Sequence, residues 1–237
     1  MPTPPGPQPG QAASSSRGPA RRATHVHVAA ALVRLFLDAV APRRCAGCGH
    51  VSENPICGPC AEQLLGSPAP SPRRLSGVTA FAAFQFDGAV REVLHRGKFQ
   101  GDRAALEALA RHAAPRFGRA PAPDGLVAVP LGRRRLRQRG YNQAEVVASV
   151  LAAAARAPVI RGMVRCRETA PQASRDEGAR RANIAGAFAW DGVPLRSASL
   201  WLVDDVLTTG ATAEAASAVL LEGGARCVSA VVMARVL

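Results

Sequence analysis

Leu200-Trp-Leu-Val-Asp-Asp-Val-Leu-Thr-Thr-Gly-Ala-Thr212 is the stretch whose reading decides the fold. Four apolar residues, Leu200 to Val203, form a buried strand, Asp204 and Asp205 leave its end, and Thr208, Thr209, Gly210, Ala211 and Thr212 turn the chain into a helix. In that order these are the parts of a cup for a phosphate monoester. A helix N-terminus offers unpaired amide N–H groups and the positive end of its dipole, the glycine lets the backbone approach an anion, and the threonine hydroxyls add donors. Asp204 and Asp205 then face the sugar that carries the phosphate. There carboxylates accept hydrogen bonds from vicinal hydroxyls and stabilise positive charge on a ring whose anomeric bond is breaking. The competing reading is a strand end with solvated acids followed by a plain helix N-cap. A Walker B assignment of the acids fails, because it needs an upstream G-x-x-x-x-G-K-[ST] loop and the one lysine, Lys98, lies in none.

Working outward, strand and helix signals alternate. Strands are expected over 78–86, 126–130, 159–164, 187–190 and 200–203, and a last buried strand over 227–236. Helices are expected over 88–95, 103–112, 142–156 and 212–221, the last ended by Gly223-Gly224. This alternation predicts an α/β fold, a parallel sheet flanked by helices on both faces, with ligands bound beyond the carboxyl ends of the strands. The main domain is expected over 75–237. Ahead of it, residues 1–24 are rich in Pro, Gly, Ser and Ala and cannot bury enough surface to offset the entropy of ordering, so a disordered tail is expected. An amphipathic helix and a cysteine cluster follow over 25–66, then a Pro/Ser-rich linker over 67–74.

The formal net charge of +13 invites a polyanion reading, but 29 of the 30 basic residues are arginine in an alanine-rich chain, so codon bias accounts for part of it. Local density is more telling. Five arginines fall between 133 and 139, in a loop expected at a strand end. Guanidinium forks pair bidentately with phosphate oxygens, which makes Arg133, Arg134, Arg135 and Arg137 candidates for holding pyrophosphate. A solvated charged loop, or contact with a nucleic-acid backbone, remain alternatives. No apolar run approaches the ~18 residues that span a bilayer, so no membrane insertion is expected. Arg21-Arg22 ahead of an apolar stretch raise the question of twin-arginine export. Arg34 and Asp38 interrupt that stretch and no A-x-A-like site follows closely, so a cytoplasmic protein is expected.

Cys45-Ala-Gly-Cys48 and Cys57-Gly-Pro-Cys60 are two C-x-x-C knuckles eight residues apart, a donor set suited to tetrahedral zinc. Disulfides are the alternative, disfavoured among reduced cytoplasmic thiols. His50 is expected to be solvated, and Cys166 and Cys227, in apolar runs, to be buried as small hydrophobes.

The 202–212 stretch resembles the signature of type I phosphoribosyltransferases. Arg139-Gly-Tyr-Asn-Gln143 is similar to the R-G-F-N-Q box of the ComF family, with Tyr in place of Phe. Lys98-Phe-Gln-Gly-Asp102 resembles that family's K-[FY]-x-G-D segment. Thr169, Gln172, Arg180, Arg181, Asn183 and Gly186-Ala-Phe188 resemble its T-x-x-Q…R-x-x-N…G-A-F segment, with Arg175 where leucine is usual. The resemblance runs from about Pro42 to the end of the chain. It implies a domain binding phosphoribosyl pyrophosphate (PRPP) behind a zinc finger, a mobile loop over the sugar phosphate at 169–183, and in some members a part in uptake of transforming DNA.

Two functions follow as expectations. One is an enzyme in which magnesium bridges pyrophosphate and ribose oxygens while Asp204 and Asp205 support an oxocarbenium-like state, the ribosyl phosphate passing to an acceptor that no residue identifies. The other is a PRPP sensor whose finger and arginines contact single-stranded DNA or a DNA-uptake partner. The low aromatic content, 4%, argues against base stacking as the main mode of such contact. A purely structural adaptor leaves the phosphate cup unexplained.

Overall fold

In chain order the elements are α1 (Gly58–Gly66), β1 (Arg73–Leu75), β2 (Val78–Gln85), α2 (Gly88–Phe99), α3 (Arg103–Ala113), a 3₁₀ turn (Ala114–Arg119), β3 (Gly125–Ala128), α4 (Arg133–Arg139), α5 (Gln143–Ala155), β4 (Met163–Arg165), β5 (Phe188–Trp190), β6 (Ser199–Leu207), α6 (Ala211–Glu222) and β7 (Cys227–Arg235). They come from a computed structural model that describes residues 42–167, 184 and 186–236. The helix expected at 25–40 and the loop residues Thr169, Gln172, Arg180, Arg181 and Asn183 lie outside the described residues. The chain divides into two units, Met1–Pro42 and Arg43–Leu237, and the second holds the elements named above.

Five strands form one sheet in the order β1-β2-β7-β6-β3. β2, β7, β6 and β3 run parallel, and β1 adds an antiparallel edge. The two central strands carry near-continuous apolar runs, as a sheet covered on both faces requires. One face, with Phe81, Trp201, Val203 and Val231, is covered by α2, α3 and α5 through residues such as Leu94, Leu106, Leu109 and Val147. The other, with Ala82, Leu202, Ala230 and Val232, is covered by α6 through Ala213, Ala216 and Leu220. This is the expected α/β architecture, a mostly parallel sheet flanked by helices. Fully burying a leucine or phenylalanine here contributes roughly 1.5–3 kcal/mol.

Several local expectations change. The arginine-rich segment is the helix α4, since arginine is a good helix former and Gly140, at φ 74°, ends the helix in the left-handed region. Apolar content alone predicted one strand over 159–164. Instead Val159 makes a single parallel bridge to Leu126, Gly162 turns the chain at φ 136°, and only Met163–Arg165 continue as β4. β4 pairs antiparallel with β5 as a separate two-stranded sheet. Cys166 is exposed and Cys227 half-buried, so neither is the buried hydrophobe expected.

The stretch at 67–74 has a defined course. Arg116 donates to the Ser67 carbonyl at 2.8 Å, Arg119 to that of Pro70 at 2.7 Å and Arg235 to that of Ser71 at 2.9 Å. Three side chains from the domain body thus satisfy backbone carbonyls that would otherwise need water.

Candidate functional site

β6 runs on through Asp204, Asp205 and Val206 to Leu207, so the acids are strand residues and do not merely trail from its end. Pairing with β7 holds them, with Asp204 opposite Val232 and Val206 opposite Ala234. Asp204 lines a small cavity with Val206 and the turn from Thr208 to Thr212. Its Oδ1 accepts the Asp205 amide at 2.8 Å. Burial first, and then the neighbouring Asp205 charge, push the Asp204 carboxyl up to about 7.

The cup is built at the start of α6. Gly210 sits at φ 97° as the residue before the helix, a conformation that strains any L side chain. Thr209 is buried, and its hydroxyl accepts the Ala211 amide at 3.4 Å. Thr208 is exposed, and its carbonyl accepts from Arg73 of β1 at 3.0 Å. The first-turn amides of α6 have no acceptors within the helix, so the turn presents donors to an anion. Gly210 has a second constraint: a Cβ there would lie 2.7 Å from the Leu75 side chain, so the glycine also lets β1 pack against the cup.

Asp205 is engaged from the other side of the sheet. Its Oδ2 lies 3.1 Å from Lys98 Nζ, near the C-terminal end of α2. Motif reading placed Lys98 in a family segment without assigning it a role, and no sequence signal links residues so far apart in the chain. The Arg139-Gly-Tyr-Asn-Gln143 box explains how Lys98 is held. Tyr141 O–H donates to the Gly97 carbonyl, and Gln143 Nε2 reaches the same oxygen at 3.4 Å. Asn142 Nδ2 donates to the Val129 carbonyl at 3.0 Å, while its Oδ1 caps α5 through the Ala144 amide at 3.1 Å. The box thus ties α2 to the carboxyl end of β3. Gly97 also lets α2 pack closely on α3, since a Cβ there would meet Leu106 of α3 at 2.5 Å.

Of the four arginines singled out for pyrophosphate, Arg135 faces the cleft between α2 and α4, together with Arg139 and Lys98. Arg133, Arg134 and Arg137 lie on the exposed surface of α4 and do not line that cleft.

The four cysteine Sγ atoms all lie within 4.8 Å of one another, with Cys48 and Cys57 at 3.6 Å. Tetrahedral zinc with Zn–S bonds of ~2.3 Å needs sulfurs about 3.8 Å apart, so the donor set fits. Cys45 Sγ also accepts the amides of Gly47 and Cys57, each at 3.3 Å. Burial disfavours the Cys45 thiolate, but amide donors at Cys57, Cys48 and Gly47 outweigh it and bring its pKa down to about 6. Burial pushes the Cys60 thiol well up, and thiols beside it push the same way. His50 is exposed and is not among the clustered groups. Cys45, Ala46, Ile56, Cys60 and Leu64 belong to the same hydrophobic cluster as Phe84 and Val90, so the knuckles share the core of the sheet domain.

Fold and site define an α/β protein with an acid-bearing strand that runs through a glycine turn into a helix at the carboxyl end of a parallel sheet, and with a four-thiol cluster packed into the same core. Comparison with known proteins agrees with the motifs. The chain is 31% identical over 202 residues to the DNA utilization protein YhgH of Salmonella typhi, covering 81% of this chain and 84% of the relative. It is 30% identical over 196 residues to Competence protein F of Haemophilus influenzae, covering 76% and 85%. With Competence protein ComFC of Bacillus subtilis it shares 29% over 146 residues, covering 60% and 58%. The chain belongs to the ComF family, as the 98–102 and 139–143 motifs led us to expect. No family model matches it. Among solved structures it is similar to adenine phosphoribosyltransferase from Leishmania tarentolae, at a TM-score of 0.36 and 14% identity, covering 68% of this chain and 78% of that one. Among the described residues no helix is long and apolar enough to cross a membrane.

Proposed function

We propose that this chain binds PRPP together with Mg²⁺ and transfers its ribosyl 5-phosphate to an acceptor, releasing pyrophosphate. The observation that carries this reading is the junction of β6 and α6, where Asp204 shares one small cavity with the Thr208–Thr212 turn. In this reading the 5′-phosphate meets the first-turn amides of α6 and the Thr208, Thr209 and Thr212 hydroxyls, with Gly210 and Ala211 supplying the close backbone approach. Asp204 and Asp205 hold the ribose hydroxyls and stabilise positive charge on the ring as the anomeric bond breaks. Magnesium, when bound with PRPP, would supply positive charge that eases departure of the pyrophosphate. Arg135, with Arg133, Arg134 and Arg137 beside it on α4, is the local source of positive charge for the leaving group. Thr169, Gln172, Arg180, Arg181 and Asn183 are assigned to a loop that covers the sugar phosphate.

Cys45, Cys48, Cys57 and Cys60 hold structural zinc in this reading, and the protein works in the cytoplasm. The relatives' names, DNA utilization and competence, support a role connected with DNA uptake. A second reading, a PRPP sensor that contacts single-stranded DNA or an uptake partner, is favoured by one observation. α4 carries five arginines and buries no residue. Titration calorimetry with PRPP and Mg²⁺ tests the shared claim. Binding that is lost in a folded Asp204→Asn, Asp205→Asn double variant is expected; no binding by the wild type overturns both readings. Pyrophosphate release on adding an acceptor then separates enzyme from sensor.

A further inference from the structure

A cleft of about 720 Å³ lies between α2 and α4; it shares no lining residue with the phosphate cup, and its Lys98 pairs with Asp205, the chain neighbour of the cup's Asp204. Its size is that of a site for a small organic molecule, commonly ~300–1,000 Å³. Two features set its chemistry. The first is charge: Arg91, Lys98, Arg135 and Arg139 line it, and none of its lining residues carries a carboxylate. The second is an aromatic rim. Phe99 is 66% exposed, an unusual position for a phenylalanine. The His95 ring packs on one side of it at 4.7 Å between centroids, and the Arg139 guanidinium stands 5.4 Å from the ring centre.

The site is organised before any ligand arrives. Arg139 donates to Gln143 Oε1 at 2.9 Å, and Gln143 is 1% exposed, so a buried side chain fixes the direction of the guanidinium. Lys98 is held by Asp205 and, through Gly97, by the Tyr141 and Gln143 hydrogen bonds. A ring face flanked by fixed cations matches a flat ligand with negative charge in its plane. Stacking uses the Phe99 face, and the arginines take the charge. A nucleic-acid strand fits less well, because strand binding stacks successive bases on successive rings and this rim presents one exposed phenylalanine.

The geometry points to this cleft as the binding site for a planar, anionic heteroaromatic compound, the acceptor of the reaction proposed above. Its role as acceptor site rests on that proposal; its ligand class rests on the cleft alone. In the transfer, a ring nitrogen of the acceptor gives its N–H proton to water and forms the new bond to C1 of the ribosyl phosphate. The C1–oxygen bond to pyrophosphate breaks, its electron pair leaving on pyrophosphate.

The test is calorimetry on the full chain, with two independent titrations. PRPP with Mg²⁺ reports on the cup. Orotate as the planar anion, adenine as a planar neutral ring, malonate as a non-aromatic dianion and an oligothymidylate report on the cleft. Orotate is expected to bind about tenfold or more tightly than adenine or malonate. Phe99→Ala and Arg91→Ala are each expected to weaken orotate about tenfold, a loss in the range of one stacking or charge-assisted contact. Phe99 is exposed, so its removal leaves the fold intact, and the PRPP titration of Phe99→Ala is expected to match that of wild type. No orotate binding at millimolar concentration, equal binding of malonate, an orotate affinity indifferent to Phe99→Ala, or tighter binding of the oligothymidylate each overturns the ligand class. Failure of PRPP to bind while orotate binds overturns the transfer reaction and leaves the cleft's ligand class standing.

Discussion

Lys98 Nζ stands 3.1 Å from Asp205 Oδ2, so the chain's one lysine neutralises one of the two acids on β6. Both side chains are largely buried, at 21% and 16% exposure. Lys98→Met therefore leaves a poorly solvated carboxylate without its cation. A loss of about 1–3 kcal/mol in folding stability is expected, below the full cost of a completely buried pair because some solvent reaches both groups. Lys98 also lowers the Asp204 pKa, so the variant should titrate Asp204 at higher pH than wild type. Urea unfolding and carbon-detected NMR titration of the carboxyl groups measure the two effects. Unchanged stability with an unchanged Asp204 titration would mean that the ion pair does not form in solution.

Asp204 carries a second pH signature. Its carboxyl titrates near 7 in the folded chain, against 3.8 as its ordinary value, so the folded state holds a proton that the unfolded state has released between those pH values. Ionised Asp204 therefore destabilises the fold. The penalty is absent below about pH 4, grows as pH rises, and is complete above about pH 7. Asp204→Asn removes it. A Tm several degrees above wild type is expected at pH 8, shrinking to no difference near pH 4. An equal gain at both pH values would show that the effect comes from packing and not from titration.

Metal removal should reach beyond the knuckles, because Cys45, Cys60, Ile56 and Leu64 are part of the domain core. One zinc per chain is expected by elemental analysis. Stripping it with a chelator should lower Tm and loosen the packing of Phe84 and Val90, seen as lost methyl and ring dispersion in NMR spectra. A Cys48→Ser, Cys57→Ser double variant that keeps full metal content would count against this ligand set.

Gly210 separates a packing role from a binding role. Gly210→Ala places a Cβ at φ 97° and against Leu75, and a cost of about 1–3 kcal/mol is expected from the backbone strain alone. Adding Leu75→Ala removes the clash but not the strain. The double variant should therefore recover part of the stability lost to the clash while PRPP affinity stays low, as read by calorimetry on folded protein. Full recovery of PRPP binding would mean that the cup tolerates a side chain and that the glycine serves packing only.

Nucleic-acid binding, if driven by α4, should be sequence-tolerant and fall steeply with salt, because exposed arginines without a base-reading element make phosphate contacts. Replacing Arg133, Arg134 and Arg137 by alanine should flatten the dependence of log K on log salt. These three lie outside the cleft, so orotate titrations should not change. Salt-independent binding that survives the triple variant would place the contact on another surface.

The alternation of apolar runs and glycine breaks was enough to read β2, α3, α5, α6 and β7 close to their observed limits, and to place α2 and β6, each read four residues short at its C-terminal end. Those elements bury one or two whole faces, and burial writes a period into the sequence. Where burial is weak the reading slipped. α4 buries nothing, so its arginines looked like loop; β4 is three residues long and owes its place to β5, a partner far along the chain. Asp204 and Asp205 were expected beyond the strand because charge usually marks a strand end. Pairing with β7 carries β6 through them instead.

The sequence by itself determined the parallel α/β architecture, the acid-and-threonine junction of β6 with α6, and the four-thiol donor set. The last two are local patterns of a dozen or so residues whose spacing brings their groups together, and the first is a chain-long alternation of buried runs and breaks. Only the tertiary structure decided that Lys98 meets Asp205, that the Tyr141, Asn142 and Gln143 side chains fasten α2 to the end of β3, and that Phe99 with Arg139 edges a cationic cleft. Each of these joins residues on different elements. Their meeting depends on how helices dock across a twisted sheet, and a one-dimensional pattern carries no record of that until the core has formed.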